Sequence, residues 1–269
     1  MHEILRHLPP GARVLDLGSA GGSFDAREFP AALSVRVDLD FPPVKCAAFV
    51  QADAARLPFH NAVFDAVISN HSLEHFSQLD LALQEIGRVL KPGAALFASV
   101  PDASTLTDRV YRWVGRGGGH LNQFVSPDAL SARIQSVTKL PLAARRLLFT
   151  SMLFLNSRNP ASPLMVSLAK LDLDTEQPLA LFIWMLRTMD RLFRTRASVY
   201  GWAFYFGKLH EVIDERAWSN VCVRCGAAHA SGFLQTQHWV TGRFFKWFSC
   251  PSCGAKNMFT SDEAMSSVA

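Results

Sequence analysis

Apolar and polar positions along the first hundred residues alternate between two periods, and this predicts strands separated by helices. Val14-Leu15-Asp16-Leu17 is a short, nearly continuous apolar run that leads straight into Gly18-Ser19-Ala20-Gly21-Gly22. It reads as a strand entering a glycine-rich turn, with residues 23–29 opening a crossover helix behind it. Ser34-Val35-Arg36-Val37-Asp38 reads as a second strand ending in an acid, and Val63-Phe64-Asp65-Ala66-Val67-Ile68-Ser69-Asn70 as a fourth. Residues 78–90 carry apolar side chains at helical spacing. Leu81, Leu83, Ile86 and Leu90 are expected to be buried, with Gln84, Arg88 and Lys91 in water. Pro92-Gly93 stops that helix, and Ala94-Ala95-Leu96-Phe97-Ala98-Ser99-Val100-Pro101 follows as a strand. Shorter helices are expected at residues 2–8 and after Ser126-Pro127. Residues 40–47, broken by Pro42-Pro43, leave little room for a second crossover helix. This order implies a parallel sheet whose ligand lies at the carboxyl ends of the strands.

The pattern changes after residue 140. Residues 142–155 and 198–207 read as the last two strands, the second containing Tyr200-Gly201-Trp202-Ala203-Phe204-Tyr205-Phe206. Residues 156–197 between them form a helical insert. Within it, residues 179–194 place Phe182, Met185, Leu186, Met189 and Phe193 on one apolar stripe. Arg187, Asp190, Arg191 and Arg194 lie opposite. The expectation is an apolar side packed inward and a basic side in water. The same basic side suits contact with an anionic membrane, and the helix suits a lid over a lipid-like acceptor.

Composition narrows the class. A chain of 269 residues, 49% hydrophobic, can fill one sizeable α/β core and a small appendage. No stretch of eighteen uncharged apolar residues occurs and the first ten residues do not resemble a secretory signal, so a cytoplasmic, at most membrane-peripheral, protein is expected. The net charge of +4 arises in residues 141–207, which hold eight Lys/Arg against four Asp/Glu. Residues 205–269 hold six against five, a weak footprint for phosphate binding, and their aromatics Trp239, Phe244, Phe245 and Trp247 are expected to pack against the preceding domain.

Cys222-Val223-Arg224-Cys225-Gly226 and Cys250-Pro251-Ser252-Cys253-Gly254 repeat one C-x-x-C-G pattern across twenty-four intervening residues. Four thiolates so spaced can surround a zinc ion, and a closed four-sulfur shell makes the metal structural. The intervening residues 232–241 and 243–249 alternate like a hairpin, so the segment resembles a zinc ribbon. Cys46 stands apart and is expected to be an inert thiol.

The turn at residues 18–22 lacks the G-x-G-x-x-G spacing of dinucleotide binders, although a carboxylate at Asp38 would accept from ribose hydroxyls in either class. With Gln51-Ala52-Asp53-Ala54-Ala55-Arg56-Leu57-Pro58-Phe59, the fourth strand and Leu90-Lys91-Pro92-Gly93, residues 10–150 resemble class I S-adenosylmethionine-dependent methyltransferases, most like the ubiquinone-biosynthesis-type group. The resemblance implies a Rossmann-like, doubly wound, mostly parallel sheet over residues 1–210, followed by the zinc module at 211–269. It further implies that Asp16, Gly18, Ser19, Ala20 and Gly22 wrap the methionine part of the cofactor. Asp38, with Asp40 as the alternative, and Leu39 would meet the ribose, Asp53 and Ala54 the adenine, and Asn70 the methionine again. Ala20 stands where the family usually has glycine.

A weakly acidic hydroxyl acceptor would need a base, for which His71 is best placed, ahead of His75 and His120. No Asn-Pro-Pro-Tyr-type signature follows the fourth strand, which counts against amino methylation of nucleobases or amides. The expected reaction is methyl transfer, by default to oxygen, on a small-molecule, glycan or lipid-linked acceptor. An RNA- or ribosome-directed enzyme docking through the ribbon, or a non-catalytic regulator or scaffold, are the alternatives.

Overall fold

The computed structural model describes residues 1–19, 21–42, 48–114, 119–159, 174–208, 213 and 215–265. Ala20, Cys46, Gly117-Gly118 and residues 160–173 of the expected insert lie outside the described residues. The chain divides into two compact units, neither continuous in sequence.

The first unit comprises Met1–Pro101, Gly119–Arg146 and Trp202–Glu215. Its strands are β1 (Arg13–Leu17), β2 (Leu33–Asp38), β3 (Phe49–Gln51), β4 (Phe64–Asn70), β5 (Leu90–Pro101) and parts of β6 (Leu142–Phe149) and β7 (Val199–Phe206). They form a seven-stranded sheet of order β3-β2-β1-β4-β5-β7-β6. The pairs β1–β2, β1–β4, β2–β3 and β4–β5 are parallel. Val14, Leu15, Leu17, Val37, Ala66, Val67, Ile68 and Leu96 are all buried, as strands covered on both faces must be. Sequence order reverses at β1, which pairs β2 on one side and β4 on the other. That is the switch point where open α/β sheets receive ligands.

Helix α1 (His2–His7) precedes the sheet; α2 is Leu79–Val89, α3 is Leu106–Val114 and α4 is Pro127–Thr138. Helix α4 starts as the sequence suggests: the Ser126 hydroxyl accepts from Ala129 N and Pro127 fills the first turn. Helix α2 buries Leu79, Ala82, Leu83, Ile86 and Val89. Two expectations here are corrected. Leu81 is exposed, because the inward face runs through Leu79, Ala82, Leu83, Ile86 and Val89 and leaves it outside. Arg88 is not free in water: it pairs with Glu85 at 2.6 Å and donates to the carbonyls of Phe59 and Leu57. It thus staples α2 to the segment after β3.

The first crossover is also corrected. Residues 23–29 form only a 3-10 turn, Ala26–Glu28. Backbone groups that a helix would use are taken: Ser23 N donates to Asp16, and the Gly21 and Phe24 carbonyls accept from Arg36.

The second unit comprises Asp102–Gly118, Leu147–Gly201 and Arg216–Ala269. Strand β6 ends at Phe149, not near 155, since Met152 takes a left-handed backbone and residues 153–155 turn into a 3-10 segment. Helix α5 (Glu176–Phe193) carries the core of this unit: Leu179, Ala180, Ile183 and Leu186 pack with Met152, Phe154 and Val223. Beyond it lie β8 (Asn220–Val221), β9 (Ala228–His229), α6 (Ser231–Thr236), β10 (Val240–Thr241), β11 (Trp247–Ser249) and β12 (Lys256–Met258). The last three make an antiparallel sheet. The first half of the stretch expected as the first hairpin strand is helical instead, because Leu234 turns into the core beside Cys222, Phe248 and Cys250.

The facing of α5 is the largest correction. Arg187 is 2% exposed and Asp190 is fully buried, while the supposed core residues Phe182, Met185, Met189 and Phe193 lie in water. Asp190 decides this. Its carboxylate accepts from Ala197 N and Ser198 N at 2.7 Å and from the Thr195 and Ser198 hydroxyls at 2.5 Å, closing the turn after the helix. Burial pushes the Arg187 guanidinium down to about 10, against the pull of Asp262. Asp190→Ala would strand those buried donors, so its urea midpoint should fall by an amount equivalent to roughly 3 kcal/mol, whereas Met189→Ala should be near neutral.

Candidate functional site

The carboxyl ends of β1, β2 and β4 are level, and the residues singled out in the sequence lie on the loops that leave them. Cross-strand register pairs Leu17 with Val37 and Asp16 with both Arg36 and Ile68. Gly18 follows at φ +66°, and a Cβ there would sit 2.5 Å from the Ser72 Cβ, so only glycine lets this turn lie against the one after β4. Ser72 secures the approach by donating to the Leu17 carbonyl at 3.0 Å while bonded to the Ser69 hydroxyl at 2.6 Å.

Asp16 is buried and accepts from Ser23 N at 2.9 Å through Oδ2. Burial pushes its carboxyl up, with Ser23 and Arg36 opposing. Its Oδ1 and the Ser19 Oγ are buried without a hydrogen-bond partner among the described residues. Both lie at the glycine turn, where a bound ligand could satisfy them. Sequence reasoning missed two structural residues here, Arg36 and Ser72. Arg36 donates to Gly21 O at 3.0 Å and lies where a Gly22 side chain would begin. The available signal was an arginine inside an otherwise apolar strand.

Asp38 ends β2 half-buried, accepting from Asp40 N at 3.3 Å, and Leu39 beside it is exposed. Asp53 accepts from Ala55 N at 2.9 Å, and Ala54 is buried between them. Asn70 ends β4 and accepts from the Ser99 hydroxyl at 2.8 Å through Oδ1. His71 takes a left-handed backbone, φ +53°, held by its N–H donating to Ser99. Such a conformation in a non-glycine residue stores about 1–3 kcal/mol and marks functional turns.

A polar cluster surrounds His71. Its Nδ1 lies 4.0 Å from Glu74 Oε1, and the His75 and His120 rings meet at 5.0 Å between centroids. The loop bearing His120 is tied down: Leu121 N and Asn122 N donate to Glu74 O, and the Asn122 amide donates to Leu73 O and Phe76 O. Burial, with His120 and His75 adding, pushes His71 down to about 4, so its ring is neutral at pH 7.

In the second unit the four cysteines converge. Cys222 and Cys253 sulfurs are 3.6 Å apart, Cys225 and Cys250 sulfurs 3.7 Å, and all four lie within 4.8 Å of one another. A tetrahedron with bonds of about 2.3 Å has edges of roughly 3.8 Å, so the cage has the size of a zinc–thiolate site. Gly226 and Gly254 close the two knuckles at φ +75° and +72°. Arg224 N lies 3.4 Å from Cys222 Sγ, and His229 Nε2 lies 3.4 Å from Cys250 Sγ. Arg224 also forms a two-point ion pair with buried Glu176, at 2.6 and 2.7 Å. This fixes the knuckle to the start of α5.

Residues 15–98 match the family model described as a methyltransferase domain. Malonyl-[acyl-carrier protein] O-methyltransferase of Methylococcus capsulatus is 32% identical over 160 residues, 53% of this chain and 58% of that protein. Fatty-acid O-methyltransferase of Mycolicibacterium smegmatis is 36% identical over 95 residues, 31% of this chain and 35% of that protein. The chain thus spans between a third and three fifths of these curated relatives. A crystal structure of a SAM dependent methyltransferase from Archaeoglobus fulgidus superposes with a TM-score of 0.50 at 20% identity, over 76% of this chain and 89% of that one. Residues 15–98 are therefore similar to a methyltransferase domain, and the fold is a Rossmann-like, mostly parallel sheet.

The glycine turn sets a direct test. Gly18→Ala should lower thermal stability by about 2 kcal/mol from backbone strain and the Ser72 clash. Adding Ser72→Gly should recover the part due to the clash; no recovery would mean the two turns do not touch.

Proposed function

We propose that the protein transfers the methyl group of S-adenosylmethionine to an oxygen of a small or lipid-like acceptor, and that its four cysteines hold a structural zinc ion. The observation that carries the first part is the convergence, at the sheet's switch point, of the glycine turn, two half-buried carboxylates and the strained Asn70-His71 turn. Asp16 Oδ1 and Ser19 Oγ, buried and unsatisfied among the described residues, suit the methionine ammonium and carboxylate. Gly18 and Gly22 would admit that moiety. Asp38 would accept from the ribose hydroxyls with Leu39 covering the ring, and Asp53 and Ala54 would meet the adenine edge. Asn70 would close the methionine end. Bound there, the cofactor supplies an electrophilic sulfonium methyl.

The chain's own task is alignment, exclusion of water and proton handling. Neutral His71 can take the proton of a hydroxyl acceptor as the new O–C bond forms, and buried Glu74 is placed to steady the ring. A carboxylate acceptor would need no base. The relatives named for malonyl-carrier and fatty-acid substrates support an acyl or lipid-like acceptor and oxygen as the atom methylated. The glycine turn, Asp38 and Asp53 support a likeness to the ubiquinone-biosynthesis-type group. The thiolate cage leaves no open position for substrate, which supports a structural metal.

Calorimetric titration should show S-adenosylmethionine binding in the micromolar range and none for NAD. Asp38→Ala and Asp53→Ala should each weaken binding about ten- to a hundred-fold without unfolding the chain; unchanged affinity in both would refute the pocket. If His71 is the base, transfer rate should stay flat from pH 7.5 to about 5 and drop only towards pH 4. An ordinary histidine base would lose half its rate near pH 6.5. Metal analysis should find one zinc per chain, lost in Cys225→Ser; a metal-free wild type would remove the zinc assignment.

A further inference from the structure

Helix α5 turns its charged side inward and its apolar side outward. Glu176, Arg187 and Asp190 are buried, while Leu181, Phe182, Met185, Met189, Leu192 and Phe193 are between 42% and 70% exposed. These positions recur every three or four residues, so they form one continuous stripe about 18 Å long. The stripe does not end with the helix. Trp184 meets the Phe245 ring at 6.0 Å between centroids, and Phe244 and Phe245, in the loop joining β10 to β11, are 89% and 62% exposed. Two elements distant in sequence thus present one apolar surface. Such a patch is rare on a protein that meets only water.

Exposed cations stand at both elements. Arg191 and Arg194 lie at the last turn of the helix, where the stripe ends, and Arg243 and Lys246 flank the phenylalanine tip; all four are exposed. Asp190, the one acid in residues 177–210, faces inward. No helix among the described residues is long and apolar enough to cross a membrane. A surface that joins a helix-length apolar stripe, exposed aromatics at a loop tip and exposed cations beside the tip and at the helix end fits a single partner class.

We infer that this surface docks on an anionic phospholipid bilayer, with α5 lying in the headgroup plane. The apolar side chains of α5 and Phe244-Phe245 enter the acyl boundary, while Arg191, Arg194, Arg243 and Lys246 meet lipid phosphates. Of the arginines expected from the sequence to touch a membrane, Arg187 lies inside the protein, while Arg191 and Arg194 are exposed at the end of the helix. This assignment stands apart from methyl transfer: the surface shares no residue with the glycine turn or with His71.

Co-sedimentation tests it with the full chain and two vesicle preparations, pure phosphatidylcholine and phosphatidylcholine mixed with phosphatidylglycerol. The protein should pellet with the mixed vesicles, less so at high salt, and weakly with the neutral ones. The pairs Met185→Ser with Met189→Ser, and Phe244→Ser with Phe245→Ser, should each lower the partition coefficient about ten-fold or more. Arg191→Glu with Arg194→Glu should remove the preference for anionic vesicles. Because every substituted side chain is exposed, unchanged circular dichroism melts should accompany these losses. No pelleting with mixed vesicles, or equal pelleting of wild type and variants, would overturn the inference. So would a wild-type dimer in solution that the Met185 and Met189 substitutions dissociate, which would assign the surface to a second copy.

Discussion

The turn after β1 lies flat on the turn after β4, and the positions of the candidate ligand contacts follow from that approach. It exists because Gly18 has no side chain where Ser72 needs space, and because the Ser72 hydroxyl reaches back to Leu17. On one side the approach levels the glycine turn with Asp38 through the β1–β2 register. On the other it forces the chain through a left-handed residue at His71, whose N–H is then caught by Ser99. The same few atoms therefore shape both the proposed cofactor side and the proposed acceptor side of the site. Arg36 completes the arrangement from below, tying Gly21 and Phe24 down so that the loop stays open above.

The second unit obeys a different constraint. Its central helix is oriented by carboxylates near its two ends, Glu176 paired with Arg224 and Asp190 closing the following turn. Leaving a Met or Leu half uncovered forgoes about 1 kcal/mol each. A buried carboxylate without partners costs several times that. The polar contacts therefore win, and the apolar stripe is left outside. That outcome gives the helix a surface role which its amphipathic pattern concealed.

The sheet was legible because buried parallel strands write themselves as short apolar runs closed by glycine or an acid, as at residues 14–18 and 34–38. The cysteine cage was legible for a similar reason: two C-x-x-C-G repeats permit few other geometries. What remained hidden depended on partners far away in sequence. Nothing local says that Arg36 reaches Gly21, that Arg88 caps the carbonyls of Leu57 and Phe59, or that Ser72 underlies Gly18. The facing of α5 was misread because periodicity ranks residues by apolarity. It cannot see four donors gathered around Asp190.

Hydrogen exchange followed by mass spectrometry, with and without S-adenosylhomocysteine, tests the proposed site most directly. The account predicts added protection at residues 17–23, 38–40, 53–55 and 70–72 together, with residues 176–193 unchanged. Protection confined to other segments, or none at saturating ligand in a folded sample, would contradict it.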